Sequence, residues 1–161
     1  MGEELRFRRA TERDLPTLVA MLADDIEGKK REIVSDPPDP VYVEAFRAIE
    51  ASGSVMIVVA ELEGKIIGSM QLVTLPGLGG RGAWRMQIEG VRVASHLRGQ
   101  GYGTQMLRHA IAIAKERGCK RVQLTTHNVR AEAKRLYERL GFVASHVGMK
   151  LELGQLQVVG R

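Results

Sequence analysis

The segment Arg98-Gly99-Gln100-Gly101-Tyr102-Gly103-Thr104 places three glycines within five positions, directly behind an arginine. It follows a strand-like run ending in Val91-Arg92-Val93 and opens a run of helical periodicity. Glycine loses more backbone freedom on folding than any other residue, so such a cluster costs stability. A cluster of this kind suits a place where another molecule must approach the main chain closely. A helix N-terminus there presents unpaired amide hydrogens and the positive end of the helix dipole. With side chains absent, a phosphate can sit on those amides. Arg98 adds a planar, permanent cation that matches phosphate oxygens. The chemistry implied is recognition of an anionic, phosphorylated ligand. A nucleoside-triphosphate loop requires Lys-Ser/Thr after its last glycine, whereas Gly103 precedes Thr104 and Gln105. A dinucleotide fingerprint built on Gly99 and Gly101 requires a third glycine where Thr104 stands.

The surrounding pattern supplies the elements that must hold this loop. LRFRRAT alternates as a first strand, and Thr11 opens a capping-box-like TERD with Asp14 at its end. Leu15, Leu18, Val19 and Leu22 recur at helical spacing, which predicts a helix over residues 12–26. SDPPDP predicts a loop, and a second helix follows with Val43, Phe46, Ala48 and Ile49 facing inward. SVMIVVAEL and KIIGSMQLVTL, joined by Glu63-Gly64, predict a hairpin. PGLGGRG reads as a flexible loop and AWRMQIEGVRV as the next strand. Gly90 inside that strand weakens it and suggests a bulge, or else relieves crowding against a helix. A bulge would splay this strand from KRVQLTT and free backbone groups of Val91 and Val93. After the loop, Met106, Leu107, Ala110, Ile111 and Ala114 share a helix face that ends at Gly118. AEAKRLYERLGF predicts a last helix ending at Gly141, and FVASHVGMKLEL one or two closing strands. The expected fold class is α/β, a mixed central sheet with flanking helices, in one domain over residues 1–161.

Composition narrows the setting. The 161 residues suit one domain, and 44% apolar with 27% charged residues is a globular profile. No apolar run approaches the ~18 residues that suggest a membrane span. The N-terminal MGEELRFRRA lacks an apolar signal core and a myristoylation serine or threonine, and Cys119 is the one cysteine, so a cytoplasmic protein is expected. The net charge of +5 is spread out, with one tight cluster at Lys29-Lys30-Arg31 flanked by Glu27 and Glu32. Without interleaved aromatics this does not point to nucleic acid as a partner. The four histidines, His96, His109, His127 and His146, lack metal-ligand spacing, so no metal is expected.

Arg98, Gly101 and Gly103, preceded by Val91 and Val93, resemble the acyl-coenzyme-A signature of the GNAT superfamily of N-acetyltransferases, Arg/Gln-x-x-Gly-x-Gly/Ala. Ala133, Leu136, Tyr137, Gly141 and Phe142 resemble its second motif, and the element order fits the family along nearly the whole chain. The resemblance implies a GNAT-like fold with acetyl-CoA as cosubstrate. The coenzyme would be held by Val91, Val93 and Arg98, Gly99, Gln100, Gly101, Tyr102, Gly103, Thr104. It implies transfer of acetyl to a primary amine of a small-molecule substrate, and admits a homodimer. IEGV resembles small-amine acetyltransferases in which a glutamate deprotonates the amine, which makes Glu89 the candidate base. Tyr137 corresponds to the tyrosine that protonates the departing thiolate. Two departures stand out: Arg130 replaces an asparagine often found seven residues before the tyrosine, and Ser95 replaces a common proline.

Each assignment has a purely structural counterpart. Glu89 could pair with Arg92 or Arg85, Tyr137 could fill a helix–sheet interface, and Cys119 could be a small core residue. His127 could touch substrate or lie on a surface turn, and Trp84 and Met86 could line the acceptor cleft or the core. Asp24, Asp25, Glu27 and Asp36 could attract a cationic amine such as a polyamine or be ordinary surface charge. A coenzyme-binding module without turnover remains the alternative; it would need neither Glu89 nor Tyr137.

Overall fold

Five strands run in chain order across one sheet: β1 (Arg6–Arg9), β2 (Val55–Leu62), β3 (Lys65–Leu75), β4 (Arg85–Val93) and β5 (Arg121–Leu124). They are seen in a computed structural model that describes residues 4–127 and 130–154. β1 to β4 pair antiparallel and β4 pairs β5 in parallel, so the sheet is mixed, as expected. Glu63 and Gly64 both have positive φ (49° and 77°), as a tight two-residue hairpin requires. The chain divides into two compact units, the first running to Leu124 and the second starting at Thr125. The sheet lies in the first unit together with helices α1 (Leu15–Ala23), α2 (Ile26–Arg31), α3 (Pro40–Ser52), the single turn α4 (Gly79–Gly82) and α5 (Tyr102–Glu116). Helix α6 (Ala131–Arg139) lies in the second. No helix among the described residues is long and apolar enough to cross a membrane.

Burial follows the periodicities that define these elements. Val59 is fully enclosed and packs with Ala10, Leu15, Leu18 and Phe46. Met106, Leu107, Ala110 and Ala114 form the buried stripe of α5, and Met70, Leu72 and Met86 are fully buried in the sheet. Gly68 on β3 permits the close approach of α5, since a Cβ there would lie 2.5 Å from Met106 Sδ. Helix α5 ends as its glycine predicts: Gly118 adopts φ 71° and the Cys119 amide bonds the Ala114 carbonyl at 2.9 Å. At the start of the chain, Thr11 and Asp14 form the expected capping box around a 3-10 turn, Glu12–Asp14. Arg8 donates to both Asp14 and Glu61 at 2.7 Å, joining β1, this turn and β2. That guanidinium holds the Asp14 carboxyl below its usual range.

Three expectations differ from the structure. The helix expected over 12–26 breaks: α1 stops at Ala23, and Asp25 caps α2 by accepting the Gly28 amide at 2.6 Å. Short polar side chains that capture nearby amides compete with helix continuation. In α3 only Phe46 is buried, and Ala48 faces solvent because it lies off the line of Val43, Phe46 and Ile49. The closing strands expected in FVASHVGMKLEL do not form among the described residues. Val147, Met149, Leu151 and Leu153 keep a period of two, yet all four are at least 70% exposed. Alternation produces a strand only where a neighbouring edge takes its hydrogen bonds, and the second unit has no described strand to offer one. Of Gly154 to Arg161, which the sequence suggests as a loose tail or an edge extension, residues 155–161 lie outside the described residues.

The α1–α2 corner depends on Gly28, where a Cβ would overlap the Leu22 carbonyl oxygen. Gly28→Ala is therefore expected to lower stability by about 1–3 kcal/mol in urea unfolding, the usual cost of overpacking. An exposed neighbour, Lys29→Ala, should change it little; equal stabilities for the two variants would contradict this packing.

Candidate active site

β4 is the strand from which the site is built. Arg85 through Ile88 pair with β5 on one side and with β3 on the other. The β5 register stops at Ile88↔Leu124, whereas β3 stays paired to Val93. Across that boundary Gln71 faces Glu89 but Ser69 faces Arg92, so β4 carries one residue more than β3. Gly90 supplies the extra residue with φ 59°, a left-handed conformation that glycine adopts without steric cost. The bulge read from Gly90 is thus present, and β4 beyond it has no β5 partner. The Ala94 amide bonds Ile67 on β3 at 2.8 Å. By the alternation of an antiparallel ladder, the Val93 amide then turns to the open side. The carbonyls are less available than the sequence suggested: Val91 O accepts from Arg92 Nη1 (3.0 Å) and Val93 O from Arg98 Nε (3.1 Å).

The glycine loop follows a short 3-10 turn, Ser95–Leu97. Gly99 and Gly101 take φ of 76° and 88°, and no atom lies within 4 Å of the place a Cβ would occupy on either. Gly101 is the N-cap of α5, and the first amide with a carbonyl partner is that of Gln105, bonded to Gly101 at 3.2 Å. Among the described residues, the amides of Gly99, Gln100, Gly101, Tyr102, Gly103 and Thr104 make no hydrogen bond. This array is open on its outer face and carries the positive end of a helix of 15 residues. It fits the diphosphate of a coenzyme. The Tyr102 side chain is buried at 5% exposure, so that residue offers its amide rather than its ring. Arg98 is half exposed; its Nη2 bonds the Asp24 carbonyl at 3.1 Å and lies 3.6 Å from the Asp24 carboxylate.

Glu89 stands exposed at the bulge, bracketed by amides. Gln87 Nε2 donates to its Oε1 at 2.6 Å and Gln71 Nε2 to its Oε2 at 3.5 Å. Gln123 on β5 in turn donates to Gln87 Oε1 at 3.0 Å, so three strands orient one carboxylate. Arg92, one of the two arginines considered as its partner, pairs with Asp25 at 3.3 Å, tying the N-cap of α2 to β4 past the bulge. Beside Glu89 lies a cavity of about 180 Å³. Leu18 and Leu22 of α1, Ile57 of β2 and Met70 of β3 form its walls, with Ser69, Gln71 and Gly90 completing it. Sequence periodicity identifies Leu18 and Leu22 only as core-facing. Gly90 borders the same cavity, and a Cβ there would meet Leu22 Cδ2 at 3.9 Å, an ordinary contact.

The remaining candidates fall elsewhere. Met86 is core and Trp84 is 46% exposed, lining a separate cationic depression with Arg81, Lys120 and Arg121 at the other end of β4. Cys119 is half-buried at the end of α5. In the second unit, Tyr137 is half-buried on α6 with its ring edge-on to Phe142, centroids 6.0 Å apart. Arg130 precedes that helix and bonds the carbonyl of the exposed His127 at 2.9 Å.

Comparison with known proteins agrees with this geometry. A model of the Acetyltransferase (GNAT) family matches residues 19–142. A streptothricin acetyltransferase from Streptomyces lavendulae is 44% identical over 62 residues, which are 37% of this chain; the match spans 33% of that enzyme's length. Among solved structures, a transcriptional regulator from Bacillus halodurans C-125 is 46% identical with a TM-score of 0.89, covering 92% of this chain and 99% of its own. A Trypanosoma brucei acetyltransferase is 26% identical with a TM-score of 0.74, covering 93% and 100%. The bulged strand, the glycine loop and the helix behind it all lie inside the matched region, and the chain belongs to the GNAT acetyltransferase family.

Proposed function

We propose that this chain catalyses acetyl transfer from acetyl-coenzyme A to a primary amine, at the cleft between the glycine loop and the cavity beside Glu89. The observation that carries the reading is the run of amides at residues 99–104 that make no hydrogen bond among the described residues, next to the part of β4 beyond its pairing with β5. Acetyl-coenzyme A supplies an acetyl thioester, a thiol leaving group and a diphosphate. The amides hold the diphosphate, Gly99 and Gly101 leave it room, and Arg98 adds charge through the exposed part of its guanidinium. The Val93 amide, on the open side of β4, donates to the extended arm of the coenzyme or to the thioester oxygen.

Glu89 serves as base. Its two glutamine partners fix the carboxylate at the cavity rim, where it attracts an ammonium and takes one proton from it, freeing the lone pair that attacks the acetyl carbon. The second nitrogen proton leaves as the adduct collapses and replaces the one Tyr137 gives to sulfur. Tyr137, matched to the family by the Leu-Tyr pair and Gly-Phe that follow, gives its hydroxyl proton to sulfur as the carbon–sulfur bond breaks. Holding amine and thioester together supplies much of the acceleration. The rival reading is a coenzyme-binding module without turnover, which the acetyltransferase family and relatives do not favour. Release of free thiol against an amine panel that includes streptothricin separates the two.

Glu89→Gln is expected to lower turnover most at low pH, where little of an amine of pKa ~10 is neutral, and to recover as pH rises. A pH profile parallel to that of the unaltered protein would remove Glu89 from the mechanism. Gly101→Asp is expected to abolish coenzyme binding in calorimetry, because it sets a like charge in the diphosphate seat at φ 88°. Normal affinity in that variant would contradict the assignment.

A further inference from the structure

Resting on the amine-acetylating reading, we infer that the acceptor carries its reacting nitrogen on an apolar arm, an alkyl or aryl segment with no second charge beside the amine. The cavity next to Glu89, about 180 Å³, is smaller than the roughly 300–1,000 Å³ of sites that enclose a drug-sized ligand. It therefore receives the reacting end of the acceptor, and its lining sets what that end can be. Leu18, Leu22, Ile57 and Met70 offer only hydrocarbon and thioether, and Ser69 and Gln71 add neutral polar groups. Glu89 is the charged residue in the lining, and one carboxylate at the rim matches one ammonium. A second cation on the arm would find no second carboxylate in the lining, only the neutral Ser69 and Gln71, and burying a charge without a counter-charge is costly.

The acids of the neighbouring corner do not line the cavity, and three of them are engaged by other groups of the chain. Asp24 sits 3.6 Å from Arg98, and Asp25 pairs with Arg92 at 3.3 Å while accepting the Gly28 amide. Glu32 is bonded by Arg31 and by the Tyr42 hydroxyl. Glu27 and Asp36 do not line the cavity. Asp24 and Asp25, half of what the sequence offers as an acidic lure for polyamines, belong in the folded chain to the contacts that hold the α1–α2 corner against β4 and the glycine loop. Selectivity is thus assigned to Leu22 and its apolar neighbours rather than to surface acids.

The experiment compares kcat/KM, by thiol release with acetyl-coenzyme A, for n-hexylamine and 2-phenylethylamine against 1,5-diaminopentane and spermidine. The single-charge amines are expected to be favoured at least tenfold. Leu22→Asp should cut that preference at least tenfold while coenzyme affinity in calorimetry stays unchanged. Leu22→Gln, which adds no charge, should weaken the apolar amines without favouring the diamines. Equal or better use of the diamines by the unaltered protein, or an unmoved preference in both variants, overturns the inference and leaves amine acetylation standing. Coenzyme binding with no thiol release from any amine, streptothricin included, overturns both.

Discussion

One extra residue in β4 governs the geometry of this unit. Gly90, at φ 59°, lengthens β4 relative to β3 at the point where pairing with β5 ends. Paired strands leave no main-chain groups for a ligand; a strand that keeps one neighbour and loses the other leaves one row open. The same insertion re-aims the side chains, so Glu89 is displayed at the rim next to a position that has no side chain. A residue with a Cβ at that φ would cost about 1–2 kcal/mol, which explains why glycine occupies a strand interior it otherwise weakens.

The opening is braced from the other side of the sheet's end by charge pairs. Arg92 reaches Asp25, and Arg98 reaches Asp24 and the Val93 carbonyl. Together they fasten the α1–α2 corner to the strand on both sides of the exit into the glycine loop. Exposed ion pairs are individually weak, but the Arg92–Asp25 pair is mostly buried and both arginines also bond main-chain carbonyls. The corner that forms the cavity wall and the loop that offers the amides are therefore held by the same residues. Leu18 and Leu22 keep their place at the cavity because α1 is anchored to the strand that carries the site.

Much of this was legible in the sequence where a local rule decides the outcome. Glycine at 90, 101, 118 and 141 marks backbone positions with positive φ, and all four adopt it. The stripe of α5 followed from its period, and the β2–β3 hairpin from two apolar runs joined by Glu63-Gly64. What stayed hidden depended on contacts distant in sequence. Asp24 and Asp25 read as solvent charge because their arginine partners lie more than sixty residues away. Glu89 could be read as an ion-pair member because Gln71, on the neighbouring strand β3, is brought to it only by the sheet register, although Gln87 two residues away lies on its own strand. Arg98 matched a phosphate-binding position, yet much of its guanidinium braces the chain. In the last segment, alternation at Val147, Met149 and Leu151 suggested a strand although no partner edge accompanies it among the described residues.

The central claim is that the main-chain amides at residues 99–104 are the seat of a coenzyme diphosphate. Amide-resolved NMR during titration with coenzyme A tests it most directly. The account predicts that the amides of Gly99, Gln100, Gly101, Tyr102, Gly103 and Thr104 shift together at the same coenzyme concentration, followed by Val93 on the open edge of β4. Saturable shifts confined to another surface, such as the depression at Trp84, with these seven amides unmoved, would contradict it.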